Sequence, residues 1–353
     1  MDLKSALAVI QRFASQKIDA AGEHTVRLEP GSICATNRIS GCRIPVESVT
    51  VTANVPLRDL RQVVGAIPDP VLSLKRSTLH VVGGGSEFKL KCFPAKMLYP
   101  YPDEPEADLW SKIEGSSMTS MAALAEVADE NALMSPMSAL RLTATWAASA
   151  TQAMLVVHRV SLGLEEAISV SPQALGGLVG SEDGGAIAVG PDSKLWIKDE
   201  ATKQVRWAQS LAIPWPDSTV DTLLPDTKNA EGRIGTQVSL DKLKELSDRS
   251  KILMGGDEYG KLCVDGSKLS IAGSFTRGAF NGVIDIKSDD DVEGVGVSPT
   301  LLGVILDALS TTTLAEGLDD NAQLSFGAND GGPQPMVLTA GGTEALLMPV
   351  VLP

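Results

Sequence analysis

The chain repeats itself. Tyr101-Pro102-Asp103 and Trp215-Pro216-Asp217 lie 114 positions apart, each after a stretch of alternating apolar residues. Six short amphipathic segments lie around them, beginning near Leu3, Leu57, Met118, Pro172, Leu240 and Pro299. The first and third starts are 115 apart, and so are the second and fourth; the third and fifth are 122 apart, the fourth and sixth 127. A third of 353 residues is about 118. The pattern predicts three copies of one two-helix unit, at 1–113, 114–226 and 227–353. Each unit is long enough to bury its own core.

Between the helical segments the apolar period changes from about 3.6 to 2. Residues 71–93 read as strand, turn, strand, turn, strand, with turns at Arg76-Ser77 and Gly83-Gly84-Gly85. Residues 186–212 repeat that arrangement in the middle unit, and 259–275 with 322–353 do so in the last. Ser171-Pro172 and Ser298-Pro299 carry a capping serine followed by proline at the first helical position. Gly176 and Gly177 interrupt the fourth helical segment. Asp103–Asp108 and Pro225–Gly232 are polar and suit domain joins. The fold class is α+β: three similar helix-plus-sheet domains, with helices on one surface of the scaffold and sheets on the other.

Apolar residues make up 43% of the chain but aromatics only 4%, so the cores are built from Val, Leu, Ile, Ala and Met. The net charge of -14 argues against nucleic acid unless the basic residues gather on one face. Cys34, Cys42, Cys92 and Cys263 contain no C-x-x-C pair and suit free thiols in a reducing compartment. The N-terminus lacks an apolar signal-peptide core, and no apolar run is long enough to span a bilayer. His24, His80 and His158 are not spaced with Cys or acid as a metal set. Nucleophile-elbow, Walker and dinucleotide fingerprints do not occur. Ser288–Asp291 lacks calcium-loop spacing and reads as a solvated turn. The expectation is a scaffold without cofactor, metal or catalytic residues.

Three segments together resemble the bacterial β sliding clamp, the processivity factor of the replicative DNA polymerase. VPLRDLRQVVGAIPD followed by LSLKRSTLHVVGGGSEFKLKCFPAKMLYPYPDEP has that family's order of helix, hairpin and closing aromatic-Pro segment. Leu155–Val160 resembles the family's Thr-Asp-Gly-His-Arg-Leu segment, and Leu346–Leu352 its Val-Val-Met-Pro-Met-Arg-Leu terminus. There are departures. Val156 and Val157 replace an acidic residue and a glycine, Val351 replaces the terminal arginine, and the strand that precedes the family's first helix has no counterpart. A divergent clamp, such as a virus- or plasmid-encoded one, fits these departures.

The resemblance implies a DNA clamp fold: a homodimeric ring with helices inside and sheets outside, in the cytoplasm of a bacterium or of an infected bacterial host. Its partners would be double-stranded DNA, bound without sequence preference, and a polymerase and clamp-loader ATPase that dock through short linear motifs. The implied peptide pocket comprises Leu155, His158, Arg159, Val160, Pro225, Leu301, Leu346, Met348, Pro349, Val350 and Val351. Helix-borne cations would face DNA phosphates: Lys4, Arg12, Lys17, Arg58, Arg61, Lys242, Arg249 and Lys251. The middle helices supply no such cations. Glu87–Phe93 and Leu269–Phe275 are the edge strands expected to join two copies, through Lys89, Lys91, Phe93, Leu269, Ile271 and Phe275. A repeated α+β assembly protein that does not encircle DNA, for example a virion component, is the alternative. An enzyme with an unrecognised acidic site is a third reading.

Overall fold

The computed structural model describes residues 1–14, 24–94, 101–128, 136–176, 178, 183–190, 192–228, 233–253, 258–288, 292–326, 328–329 and 332–350. Lys17 and Val351 lie outside the described residues. The chain divides into two compact units, Met1–Glu114 with Gly180–Leu211, and Gly115–Val179 with Ala212–Pro353.

In the first unit, helix α1 (Leu3–Ile10) is capped by Asp2, whose carboxylate accepts from the Ser5 amide at 2.9 Å. Its Leu3, Ala6, Leu7 and Ile10 are buried. Strands β1 (Thr25–Glu29), β2 (Ser32–Thr36), β3 (Ser40–Pro45) and β4 (Ala53–Pro56) follow, then helix α2 (Leu57–Ala66). Leu57, Leu60, Val63 and Val64 form the buried stripe of α2. Strands β5 (Val71–Lys75), β6 (Thr78–Gly83) and β7 (Ser86–Lys91) make a separate three-stranded sheet. Its second turn is a two-residue loop in which Gly84 and Gly85 both have positive φ, 54° and 76°.

Strand β8 (Ser111–Ile113) precedes helix α3 (Gly115–Ala125). Strands β9 (Leu140–Leu142), β10 (Trp146–Ala150), β11 (Met154–Arg159) and β12 (Ile168–Val170) come next, then β13 (Gly185–Val189), β14 (Lys194–Asp199) and β15 (Val205–Gln209). The helix expected at Pro172 is instead one 3-10 turn, Pro172–Ala174. Glycine at 176 and 177 makes a longer helix unfavourable there.

Short helix α4 (Leu224–Lys228) leads to β16 (Ile234–Ser239) and helix α5 (Leu240–Lys251). Strands β17 (Gly260–Asp265), β18 (Lys268–Phe275), β19 (Gly278–Asp285) and β20 (Val292–Val297) precede helix α6 (Pro299–Ala315). Ser239 and Ser298 cap α5 and α6 by accepting from the Lys242 and Leu301 amides. Strands β21 (Asn321–Phe326), β22 (Ala328–Asn329), β23 (Gly332–Pro333), β24 (Met336–Ala340) and β25 (Thr343–Leu347) complete the chain.

The sheets reveal the repeat more clearly than the helices do. One eight-stranded sheet has the order β4-β1-β2-β3-β15-β14-β13-β8, and the other β12-β9-β10-β11-β25-β24-β21-β16. The third four-strand set has the order β19-β18-β17-β20. Read from the other end, it is the same fourth-first-second-third arrangement as β4-β1-β2-β3 and β12-β9-β10-β11. Twice, then, the third strand of such a set joins the last strand of a second set: β3 to β15 and β11 to β25. The two equivalent strands left over are β19 and β7. Each is an edge among the described residues.

Strand β7 was expected as an edge, but β18 was not expected inside a sheet. It is paired on both sides, by β17 and β19. Leu269, Ile271 and Phe275 are accordingly buried. Alternating apolar residues at 269–275 mark a core strand, and the edge lies one strand further on. Among the described residues no strand precedes α1, whereas β8 and β16 precede α3 and α5 and cover the edges of β13 and β21. The equivalent edge, β5, carries exposed Val71 and Leu74.

Candidate nucleic-acid interface and peptide-binding surface

The amphipathic stripes of α1 and α2 leave their polar faces on one concave surface. Lys4, Arg58, Arg61, Gln11 and Gln62 line a cleft of about 1070 Å³, together with Ala8, Pro56, Leu57, Gly65, His24 and Phe93. Asp59 is the single carboxylate in that lining. Lys4, Arg58 and Arg61 are exposed and, among the described residues, enter no ion pair. Arg12 is exposed but outside the cleft lining. Phe93 does not extend the edge of β7. Its amide donates to the Asn54 carbonyl at 2.7 Å, and its ring meets His24 edge-on at 5.1 Å.

Helix α5 carries its cations differently. Arg249 is paired with Glu245, Lys251 with Asp248 at 2.8 Å, and Lys244 with Asp307 of α6 at 2.5 Å. Lys251 also lies over Gly303 of α6, where a Cβ would strike its ammonium group. Exposed Lys242 keeps its charge clear of the ion pairs among the described residues. Local acids thus cancel much of the basic character expected of this helix. Helix α3 has no charged residue at all.

Both aromatic-Pro-Asp segments pack against a large sheet, on different strands. Tyr101 packs against Trp196 and Trp207 with centroids 6.4 and 6.5 Å away, and Arg43 lies 4.7 Å over its ring. These residues sit on β3, β14 and β15, so the segment covers the seam of the first large sheet. On the other face of that seam, Arg206 lies 5.6 Å over Phe13, and burial pushes the Cys42 thiol up to about 12. In the second unit, Arg141 of β9 makes a bidentate pair with Asp217, at 2.9 and 2.6 Å. That pair anchors the segment 212–228, whose Trp215, Val220 and Leu224 are buried.

The expected peptide pocket separates by strand parity. Leu155, Val157 and Arg159 point to one face of β11, and Met154, Val156 and His158 to the other. Leu155 is directly opposite Leu346 on β25, and Met348 continues that face. The Met348 amide donates to the Ala153 carbonyl at 2.7 Å, and Val350 to Gly296 at 2.9 Å. Residues 348–350 therefore cross from the start of β11 to β20, and Leu301, half-buried, lies in the first turn of α6. Met348 is 47% exposed, and Pro349 and Val350 are half-buried.

His158 does not join this surface. It is buried on the helix-facing side, 2.9 Å from the Thr343 hydroxyl, which in turn donates to Thr312 of α6 at 2.7 Å. Burial pulls its pKa down, and Glu316, 3.9 Å away, opposes that shift. Arg159 is exposed and 3.7 Å from Glu344. Val160, half-buried, lies five residues beyond Leu155, about 16 Å along an extended strand. Pro225 is on α4. Leu155 and Leu346 are themselves buried, so of the expected pocket residues on these strands only Met348 and Arg159 are exposed, with Pro349 and Val350 half-buried. The Arg141–Asp217 anchor escaped the sequence reading, because its partners are 76 positions apart and share no local pattern.

On β7, Lys89 and Lys91 are exposed, and Lys89 is 4.0 Å from Glu87, which also binds His80 at 2.6 Å. On β19, Val283 is exposed. Among the described residues no cluster of three His, Cys, Asp or Glu could hold a metal ion, and no helix is long and apolar enough to cross a membrane.

No protein-family model and no curated protein matches this sequence. Solved structures do match. A sliding clamp (DNA polymerase III subunit beta) from Pseudomonas aeruginosa, bound to griselimycin, superposes with a TM-score of 0.78 at 15% identity, over 99% of this chain and 97% of that one. The DNA polymerase sliding clamp of Bacillus subtilis gives 0.78 at 12% identity with the same coverage. The DNA polymerase III beta subunit of Thermotoga maritima gives 0.76 at 14% identity, over 100% of this chain and 98% of that one. At these identities the likeness is one of fold, and it spans the whole chain: this protein has the fold of the bacterial DNA polymerase III beta sliding clamps.

Proposed function

We propose that the protein is a DNA sliding clamp: a head-to-tail homodimer that encircles duplex DNA and tethers a polymerase, with no chemistry of its own. The observation that carries this reading is the pair of unjoined strands. Inside the chain, sets of this kind join third strand to last strand on two occasions. A third joining requires β19 of one copy and β7 of another, and doing so twice closes a ring of two chains. Three domains per chain, at 1–113, 114–226 and 227–353, would make that ring six domains round.

Topological retention explains how a chain of net charge -14 acts on DNA. A closed ring stays on DNA by linkage, so phosphate contacts need only be loose and independent of sequence. Lys4, Arg58 and Arg61 supply them from α1 and α2, with Arg12 and Lys17 nearby in sequence and a smaller share from Lys242, Arg249 and Lys251. Exposed Met348, with half-buried Leu301, Pro349 and Val350 and with the buried Leu155–Leu346 pair beneath, takes the apolar side chains of a short partner motif; Pro225 and Val351 belong to it by resemblance alone. Polymerase and clamp-loader ATPase are the partners, in a bacterial cytoplasm.

The test is topological. Protein loaded by a bacterial clamp-loader ATPase onto nicked circular plasmid is expected to stay through gel filtration and to leave when the plasmid is cut. Equal retention on cut and uncut plasmid, or none on either, would contradict the reading. Equal retention is what the alternative, an assembly protein that binds DNA only at its surface, predicts; the uncharged α3 favours that alternative.

A further inference from the structure

The cleft between α1 and α2 offers more than a row of cations. Its lining combines Lys4, Arg58, Arg61, Gln11 and Gln62, and one carboxylate, Asp59, with apolar Ala8, Ala14, Pro56, Leu57 and Phe93. A cleft of about 1070 Å³ is large enough to admit a nucleotide. Phe93 is fixed at both backbone ends: its amide bonds Asn54 at 2.7 Å, and its carbonyl accepts from the Asn54 side chain at 3.5 Å. Its ring stands at 83° to His24 and is half-buried. Gly65, inside α2, has open space where a Cβ would stand.

Duplex DNA keeps its bases stacked and presents phosphates, which would engage only the cations and leave Phe93 unused. An aromatic ring beside cations is instead the arrangement that binds unpaired nucleotides, by stacking and charge together. We propose that this cleft seats an unpaired nucleotide of single-stranded DNA, with its phosphate on Lys4, Arg58 and Arg61 and its base against Phe93. The inference deepens the clamp reading and rests on it for the presence of DNA. It would give the ring a preference for duplexes that carry a single-stranded segment.

The experiment uses full-length protein and two fluorescein-labelled oligonucleotides, a ten-residue oligo-dT and an abasic strand of the same length, titrated at low salt. The wild type is expected to bind oligo-dT about fivefold or more tightly than the abasic strand. Phe93→Ala and Phe93→Leu should each reduce oligo-dT binding to the abasic level and leave abasic binding as it was. Equal affinity of the wild type for both strands would overturn the inference, and this arm needs no variant to fold. So would an unchanged preference for oligo-dT in a folded Phe93→Ala protein. Plasmid retention is scored separately: retention without base-dependent binding overturns this inference alone, and base-dependent binding without retention overturns the ring alone.

Discussion

Gly65 stands in the last turn of α2, where the mid-helix cost of glycine relative to alanine, about 0.5–1 kcal/mol, is an upper bound. No atom within 4 Å would meet a Cβ there. Gly65→Ala is therefore expected to stabilise the protein by no more than about 0.5–1 kcal/mol in chemical denaturation, and a loss of stability would show that the space is not free. His158 gives a pH dependence. Its folded pKa lies below the 6.5 of the unfolded chain, chiefly through burial, so the unfolded state binds the proton more readily. Its contribution to stability is complete above about pH 6.5 and is lost as pH falls through the folded pKa. His158→Gln should flatten the melting temperature over that acid range; the same slope in wild type and variant would contradict the assignment. The orientation of His158 was within reach of the sequence, because it is three residues from Leu155 and so on the opposite face of any strand containing both. Phe93 was harder. Its place depends on Asn54 and His24, which are 39 and 69 positions away, and no local pattern reports such contacts.

Elements were legible where period and punctuation agreed. The stripes of α1, α2 and α5, the serine-proline start of α6 and the glycine turn between β6 and β7 all stand where the sequence places them. The misplacement of the edge from β19 to β18 has a physical cause. LSIAGSF alternates more cleanly than GAFNGVID, but clean alternation reports burial of one face and says nothing about what pairs alongside. Edge or interior is decided by the order of strands, which is a property of the whole sheet. If β19 and β7 join two copies, Val283→Lys on β19 puts a charge into that joint and should weaken self-association about tenfold. Analytical ultracentrifugation would measure it, and an unchanged dissociation constant would remove β19 from the interface. Ile271→Lys, one strand inward, should instead lower the melting temperature, since Ile271 is fully buried.

At the scale of the molecule, three four-strand sets share one strand order, β4-β1-β2-β3, β12-β9-β10-β11 and β20-β17-β18-β19. Each set spends similar lengths of chain on the same connections, even where side chains have diverged beyond family-model recognition. What spacing could not report was the charge environment. The cations of α5 are answered by Glu245, Asp248 and Asp307, whereas those of the α1–α2 cleft meet a single carboxylate, Asp59. If the protein encircles DNA as proposed, its contact with DNA should therefore be uneven between these helices. Arg58→Glu with Arg61→Glu is expected to make the salt dependence of duplex binding shallower by a log–log slope of about 2. Arg249→Glu alone should change it little; equal effects from both helices would contradict this division. The most direct test of the ring itself is the solution mass by light scattering, with a small-angle X-ray scattering profile from the same sample. The account predicts a mass near twice 37.0 kDa and a hollow-disc profile. A monomer at every concentration, or a dimer with no central hole, would contradict it.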